Sequence, residues 1–277
     1  MKDQLIGLDQ NTSFIMINLA LIGTGKWGKK YLDSCKNLPG IKIGYICARK
    51  TDISSLLEKK DISGFIVASP TSTHFKLAKT LIENNKNVLI EKPVTDSYTS
   101  TRLLFQLSKK HPKAIVMAGH IQLYDPAYQD LKKNIKKIGR IRKLEYLGLQ
   151  SPARNDTSIF WDWGPHPIYL FMNLLGGTVS LKSVKPIKPD GAEISLVCKN
   201  EVEGKIKIAW TYPIKKRAFV VYGERGKLTL ESGKKGRLTP LQNEILTFVN
   251  CLKNKTQPPS DLKQALAVAK VISKFTS

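Results

Sequence analysis

The chain alternates short apolar runs with amphipathic stretches. "INLALIG" (17–23) has the length of a buried strand, and "KWGKKYLDSCKNL" after it spaces its apolar residues as a helix does. The pairing recurs in "IKIGYICA" (41–48) with the brief "DISSLLEKK", and in "GFIVASP" with "THFKLAKTLIENN". It continues through "NVLIEKP", "SYTSTRLLFQLSKK" and a last strand, "AIVMAGH". Asp52 or Ser54 opens the brief helix, and Thr73 caps the one after it. Strands separated by helices of this length predict right-handed βαβ units and a parallel sheet.

Past residue 122 the pattern changes. "DPAYQDLKKNIKKIG" predicts one helix and "RIRKLEYLGLQ" a long strand. "FWDWGPHPIYLF" leads into a helix stopped by Gly176–Gly177. Strand-like runs follow in "AEISLVCK", "GKIKIAWTY", "AFVVYGE" and "GKLTLE", with "NEVEG" and "GERG" as hairpin junctions. Two helices, "LQNEILTFVNCLKN" and "LKQALAVAKVISKF", close the chain on either side of Pro258–Pro259. The expected class is α/β. A parallel-sheet domain spans 1–122, with 1–15 as an extension, and an α+β domain with a mainly antiparallel open sheet spans 123–277.

Composition narrows the function classes. With 277 residues and 42% hydrophobic content, the chain can build two cores of ordinary size. "FIMINLALIG" is about half as long as a membrane helix, and the residues before it lack a secretory pattern. Cys35, Cys47, Cys198 and Cys251 are far apart, with no CxxC pair and no histidine at zinc spacing. No disulfide framework or metal centre is expected, and the reading is cytoplasmic. The net charge of +23 raises nucleic acid as a partner. Yet the lysines sit in scattered pairs such as Lys29–Lys30 and Lys109–Lys110, with no basic tail or aromatic-basic motif. Steering of an anionic small substrate suits this distribution better than specific nucleic-acid binding.

The candidate chemistry begins at the first turn. Gly23, Gly25 and Gly28 have G-x-G-x-x-G spacing, with Thr24, Lys26 and Trp27 between them, where a strand ends and a helix starts. That context suits a dinucleotide, whose pyrophosphate sits on the free N–H groups of the helix. The second strand ends in Cys47, Ala48, Arg49 and Lys50, with no carboxylate before Asp52, which favours NADP over NAD. Ser69, Pro70, Thr71 and His74 follow the third strand at the carboxyl edge, another place for cofactor contacts. Glu91 and Lys92 end the fourth strand, and a lysine there points into the crevice.

Taken together, Gly23-x-Gly25-x-x-Gly28, Glu91-Lys92-Pro93 and Asp162-x-Gly164-x-His166 resemble the glucose–fructose oxidoreductase/inositol dehydrogenase/rhizopine catabolism (Gfo/Idh/MocA) family, from Met16 almost to the end of the chain. The resemblance implies a Rossmann domain followed by a substrate domain whose open sheet assembles homodimers or homotetramers. It implies hydride transfer between NAD(P) and a CH–OH or C=O carbon of a sugar, polyol or nucleotide sugar. Lys92, Asp162 and His166 become the catalytic residues, with His166 as proton donor or acceptor at a pKa near neutrality. Asp162 would orient that imidazole or touch the sugar. Gln122, Tyr124, Arg154 and Trp163 are the candidate substrate contacts. Three departures stand out. Tyr169 replaces a second aspartate, Leu123 replaces an arginine, and the span before "GFIVAS" is short by one strand–helix unit. The alternative is a non-catalytic NAD(P)-binding sensor on the same fold, against which Lys92 and His166 both argue.

Overall fold

The computed structural model describes residues 16–48, 53–150, 153, 156–212, 215–231 and 236–275. The first apolar run forms β1 (Ile17–Ile22), buried at every position. α1 (Lys26–Lys36) follows and turns Gly28, Tyr31 and Cys35 inwards. Then come β2 (Ile41–Cys47), the four-residue α2 (Ser54–Leu57), β3 (Gly64–Val67), α3 (Thr71–Glu83), β4 (Val88–Glu91), α4 (Tyr98–Lys110) and β5 (Val116–Gly119). The five strands pair in parallel in the order β2-β1-β3-β4-β5. Strands β1, β3, β4 and β5 are buried at every position, with Asn18 and Glu91 their polar side chains, because helices cover both faces of the sheet. The chain reverses its direction of travel across the sheet at β1. Above the carboxyl ends there, such sheets bind their ligands. Among the described residues only α2 lies between β2 and β3.

Two helix starts differ from expectation. α3 begins at Thr71 behind Pro70, and Thr73 Oγ1 donates back to the Pro70 carbonyl at 2.7 Å instead of capping the helix. The cap position of α2 is Ile53, while Asp52 lies outside the described residues.

The second half starts with a 3-10 turn over Ile121–Tyr124 and α5 (Pro126–Asn134), capped by the Asp125 carboxylate. The expected single helix breaks into a further 3-10 turn at Ile135–Ile138. β6 (Ile141–Leu149), α6 (Ile159–Trp163) and α7 (Pro165–Leu175) follow, and α7 ends on Gly176 in the left-handed region. Next are β7 (Val179–Ile187), β8 (Gly191–Cys198), β9 (Glu203–Ala209), β10 (Lys216–Gly223) and β11 (Gly226–Glu231). The second sheet runs β11-β10-β6-β9-β8-β7, antiparallel except for the β6–β9 pair. β7 extends beyond the strands expected.

α8 (Pro240–Asn254) and α9 (Leu262–Ile272) return to the first sheet. Leu262 and Ala265 share a core with Leu104 and Val116, and the Phe248 ring lies against Gly64. The Ala118 N–H donates to the Ser260 carbonyl at 2.7 Å. The end of the chain therefore braces the edge at which β4 and β5 deliver their last residues. None of the four cysteines forms a disulfide, and among the described residues no helix is long and apolar enough to cross a membrane.

Candidate active site

The glycine turn has the shape that a dinucleotide requires. Gly23 has φ +104°, and an added Cβ would lie 2.6 Å from the Ser69 nitrogen. A Cβ on Gly28 would sit 2.1 Å from the Gly23 carbonyl oxygen, so only hydrogen lets α1 approach β1 so closely. Gly25 has nothing within 4 Å of the corresponding position, leaving the space above the turn open. No side chain caps α1. Its first N–H groups and its positive dipole end are therefore available to a phosphate. These residues fit a nicotinamide dinucleotide.

Thr24 lies on this turn, Lys26 and Trp27 begin α1, and Ala48 directly follows β2; Arg49 falls outside the described residues. Ser69 Oγ and Thr73 Oγ1 are 2.7 Å apart in the loop entering α3, where Pro70 is the cap position and Thr71 is buried. The His74 ring is clamped between the Pro93 carbonyl (3.0 Å from Nδ1) and the Ser69 carbonyl (2.9 Å from Nε2). Burial lowers its pKa while the carbonyls raise it. Both nitrogens are engaged by backbone, so His74 ties this loop to the segment after Lys92.

β4 ends in Glu91 and projects Lys92 into the crevice. Lys92 Nζ donates to the Asp162 backbone carbonyl at 2.8 Å and to Asp162 Oδ1 at 2.9 Å. Both side chains are largely buried, at 8% and 6% exposure, so this pair is not screened like a surface one. The Trp210 indole N–H donates to Asp162 Oδ2 at 3.1 Å. Asp162 thus holds Lys92, where the sequence reading had it orienting the imidazole or touching sugar.

α6 and α7 meet at Gly164, where a Cβ would strike the Phe160 carbonyl at 2.3 Å. Pro165 and Pro167 fit the first turn of α7, whose N–H groups have no partner inside the helix. His166 is buried on that turn, and its Nδ1 meets no partner. Burial first, then the charge of Lys92, then Arg217, push its pKa well below the ordinary value. The imidazole expected to titrate near neutrality is instead held in its uncharged form. His120, which the sequence reading passed over, follows β5 directly. It is buried, neither ring nitrogen has a partner, and burial with Lys92 lowers its pKa to about 3. Its ring stacks on Tyr169 with centroids 4.0 Å apart.

The expected substrate contacts divide. Gln122 lies with His120, His166 and Tyr169 around one small pocket, and its Nε2 donates to Tyr146 Oη at 2.9 Å. Trp163 packs on β6, where a Cβ at Gly148 would come within 2.5 Å of its ring; its indole nitrogen has no partner. The Tyr124 hydroxyl is taken by Ser260 Oγ at 2.8 Å, away from the crevice. Arg154 lies outside the described residues. Tyr169 donates to the Pro259 carbonyl at 3.0 Å and meets the Gln264 amide, anchoring α7 to α9.

A buried carboxyl pair lies behind Lys92. Tyr31 Oη is 2.9 Å from Glu91 Oε1 and 3.2 Å from Glu244 Oε2, and Glu91 Oε2 accepts the Lys92 N–H at 2.9 Å. Burial pushes both carboxyl pKa values up, that of Glu244 further because Glu91 faces it.

Residues 47–120 match the family described as "Oxidoreductase family, NAD-binding Rossmann fold" (GFO_IDH_MocA). The chain is 24% identical over 219 residues to 4-carboxy-2-hydroxymuconate-6-semialdehyde dehydrogenase of a Sphingobium strain, covering 67% of this chain and 69% of that protein. It is 30% identical over 138 residues to scyllo-inositol 2-dehydrogenase (NAD(+)) of Bacillus subtilis, covering 47% of this chain and 40% of the relative. Inositol dehydrogenases named for NAD(+) and for NADP(+) are both among the relatives. The structure of scyllo-inositol dehydrogenase from Lactobacillus casei with bound NAD(H) and scyllo-inositol has a TM-score of 0.79 at 15% identity, covering 94% of this chain and 96% of that one.

Proposed function

We propose that the chain is a member of the Gfo/Idh/MocA family of NAD(P)-dependent oxidoreductases and that it moves a hydride between nicotinamide and a CH–OH/C=O carbon of a sugar, polyol or nucleotide sugar. The observation that carries this reading is the meeting of Lys92 from β4 with Asp162 from α6, one turn before His166, beside an open phosphate-shaped turn.

The glycine turn, the uncapped start of α1 and the loop at Ser69–Thr71 hold the dinucleotide, and the sequence after Cys47 favours its 2′-phosphorylated form. When bound, the nicotinamide ring supplies or takes the hydride. Asp162, fixed by Trp210, aims the Lys92 ammonium at the substrate oxygen and polarises the carbon it is bonded to. His166 is neutral and buried, so in the oxidative direction it accepts the hydroxyl proton. In the reductive direction the same imidazole, protonated, returns that proton to the oxygen while Lys92 stays hydrogen-bonded to it. The stacked His120 and Tyr169 behind this constellation keep water from the reacting carbon.

The test is a titration of protein fluorescence with NADPH and NADH, followed by turnover of a polyol, sugar and sugar-nucleotide panel. Lys92→Ala should lower kcat by about 10³-fold, the order expected for loss of a positioned hydrogen-bond donor and electrostatic stabiliser, with cofactor affinity kept. Failure of both cofactors to bind, or unchanged turnover in Lys92→Ala, defeats the reading.

A further inference from the structure

One cation on the inner face of the second sheet has no counter-ion. Arg217 pairs across β10–β6 with Gly148 and shares its face with the buried Phe219 and Val221. Its guanidinium carbon lies 5.2 Å from the centre of the Trp163 ring, and that ring lies 6.0 Å from the His166 ring, edge to face. The Nε–H is buried and meets no acceptor, and no ion pair joins Arg217 to an acid among the described residues. An arginine in such a place is ordinarily matched by a carboxylate.

The surroundings add positive charge. The Lys30 pKa is lowered first by burial and then by Lys26, Lys215 and, more weakly, Arg217, while Glu91 raises it, so the charge of Arg217 is felt as far as α1. Lys92 cannot serve as a spare member of the group, because Asp162 already holds it. The indole N–H of Trp163 is a second buried donor without a partner beside the guanidinium. The guanidinium Nε–H and the Trp163 N–H are thus two buried donors without an acceptor, and such a pair selects an oxyanion.

Building on the hydride-transfer reading of this site, the geometry points to Arg217 as the residue that binds an anionic group, a carboxylate or phosphate ester, carried by the substrate close to its reacting carbon. The Trp163 ring supports one face of the guanidinium and leaves its edge free for the paired N–H···O bonds that such oxyanions accept. Arg217 and Trp163 lie on the His166 side of the crevice, whereas the cofactor's phosphates belong to the turn at Gly23–Gly28. Arg217 therefore sets substrate choice: an acid or phosphate of a sugar-like alcohol is preferred to its neutral parent.

The experiment compares a hexuronate, a hexose phosphate and the parent hexose by calorimetry on protein loaded with NADH or NADPH. Wild type should bind at least one of the two anions about tenfold or more tightly than the hexose, and which one wins identifies carboxylate or phosphate. Arg217→Gln should bring that ratio to within about threefold, while Arg217→Lys, which keeps charge without the fork, should fall between. A ratio near one in wild type overturns the inference. So does a ratio unchanged in Arg217→Gln, or a loss of NADH affinity in place of anion affinity. If Lys92→Ala turns over as wild type while the Arg217-dependent ratio persists, the hydride-transfer reading fails and the anion site stands.

Discussion

Tyr31 offers the sharpest test of the buried architecture. It is fully buried, and its hydroxyl sits between two carboxyl groups, 2.9 Å from Glu91 and 3.2 Å from Glu244. A phenol has one proton to give. If it donates to Glu91, the contact to Glu244 exists only when Glu244 is protonated and donates to the phenol oxygen. Glu91 accepts the Lys92 N–H as well, whereas Glu244 Oε1 has no partner and its residue is wholly buried. Glu244 is therefore the neutral member. Tyr31→Phe removes both hydrogen bonds without opening a cavity and leaves two buried carboxyls facing each other. One charged and one neutral hydrogen bond together contribute about 3 kcal/mol, so the melting temperature should fall by roughly 6–12 °C in a chain of this size. Glu244→Gln supplies a neutral isostere that still donates to Tyr31, and near neutral pH it should match wild type within about 1 kcal/mol. The sign against pH follows from the raised pKa values of Glu91 and Glu244. Their contribution is complete below the ordinary glutamate range and is lost as pH rises through the folded-state values, and Glu244→Gln should flatten that decline. Urea denaturation from pH 5 to 9 measures all three proteins. A Tyr31→Phe loss below about 0.5 kcal/mol, or a Glu244→Gln loss at neutral pH as large as that of Tyr31→Phe, refutes the argument.

Other predictions follow from single contacts. Gly28→Ala places a Cβ 2.1 Å from the Gly23 carbonyl and should cost about 1–3 kcal/mol along with NAD(P)H affinity. Gly25→Ala meets nothing and should weaken the cofactor with the melting temperature unmoved; equal stability losses in the two variants would contradict the assignment of the turn. Asp162→Asn leaves Lys92 buried without its counter-ion and should destabilise by about 3–5 kcal/mol, with part of that recovered in Lys92→Met/Asp162→Asn on chemical denaturation. The buried imidazoles of His120 and His166 have lowered pKa values, so their contribution is present above about pH 6.5 and is lost as pH falls. His120→Gln should flatten that acid limb, and ring signals of His166 should show no titration by NMR near pH 6.5.

The first half was legible because β1, β3, β4 and β5 are buried on both faces and therefore read as largely apolar runs between helices. β7 was not legible. It is an edge strand paired only with β8, its exposed positions carry Lys182 and Lys185, and Pro186 lies within it. An edge needs neither a continuous apolar face nor every N–H, so the alternation that marks inner strands fades there. The split of α5 at Asn134 was hidden for a related reason: Ile135 and Ile138 keep the apolar spacing while the backbone tightens to a 3-10 turn. α8 and α9 were visible as helices, but their return to the first sheet was not, because amphipathic periodicity says which face is buried and not against what.

The site was legible where chemistry concentrated in short motifs, and Lys92, Asp162 and His166 fall together. It was illegible where a residue's meaning depends on what is missing around it. His120 is an ordinary histidine until burial leaves both its nitrogens without partners. Arg217 had a usable signal, since in "RAFVV" it has the same parity as the inward Phe219 and Val221, and an inward arginine calls for an anion. The chain-wide excess of lysine masked it. Most of the +23 charge lies on exposed side chains, where screening makes it uninformative about any one partner. Inside the crevice the imbalance has a different consequence. Asp162 answers Lys92 and, among the described residues, no acid answers Arg217, so the positive field that adds to burial in lowering the His166 pKa relaxes when an anion arrives. Binding of an anionic substrate would thereby raise the proton affinity of His166 as it is about to receive the hydroxyl proton. The residue that selects the substrate and the residue that accepts its proton are coupled through one uncompensated charge.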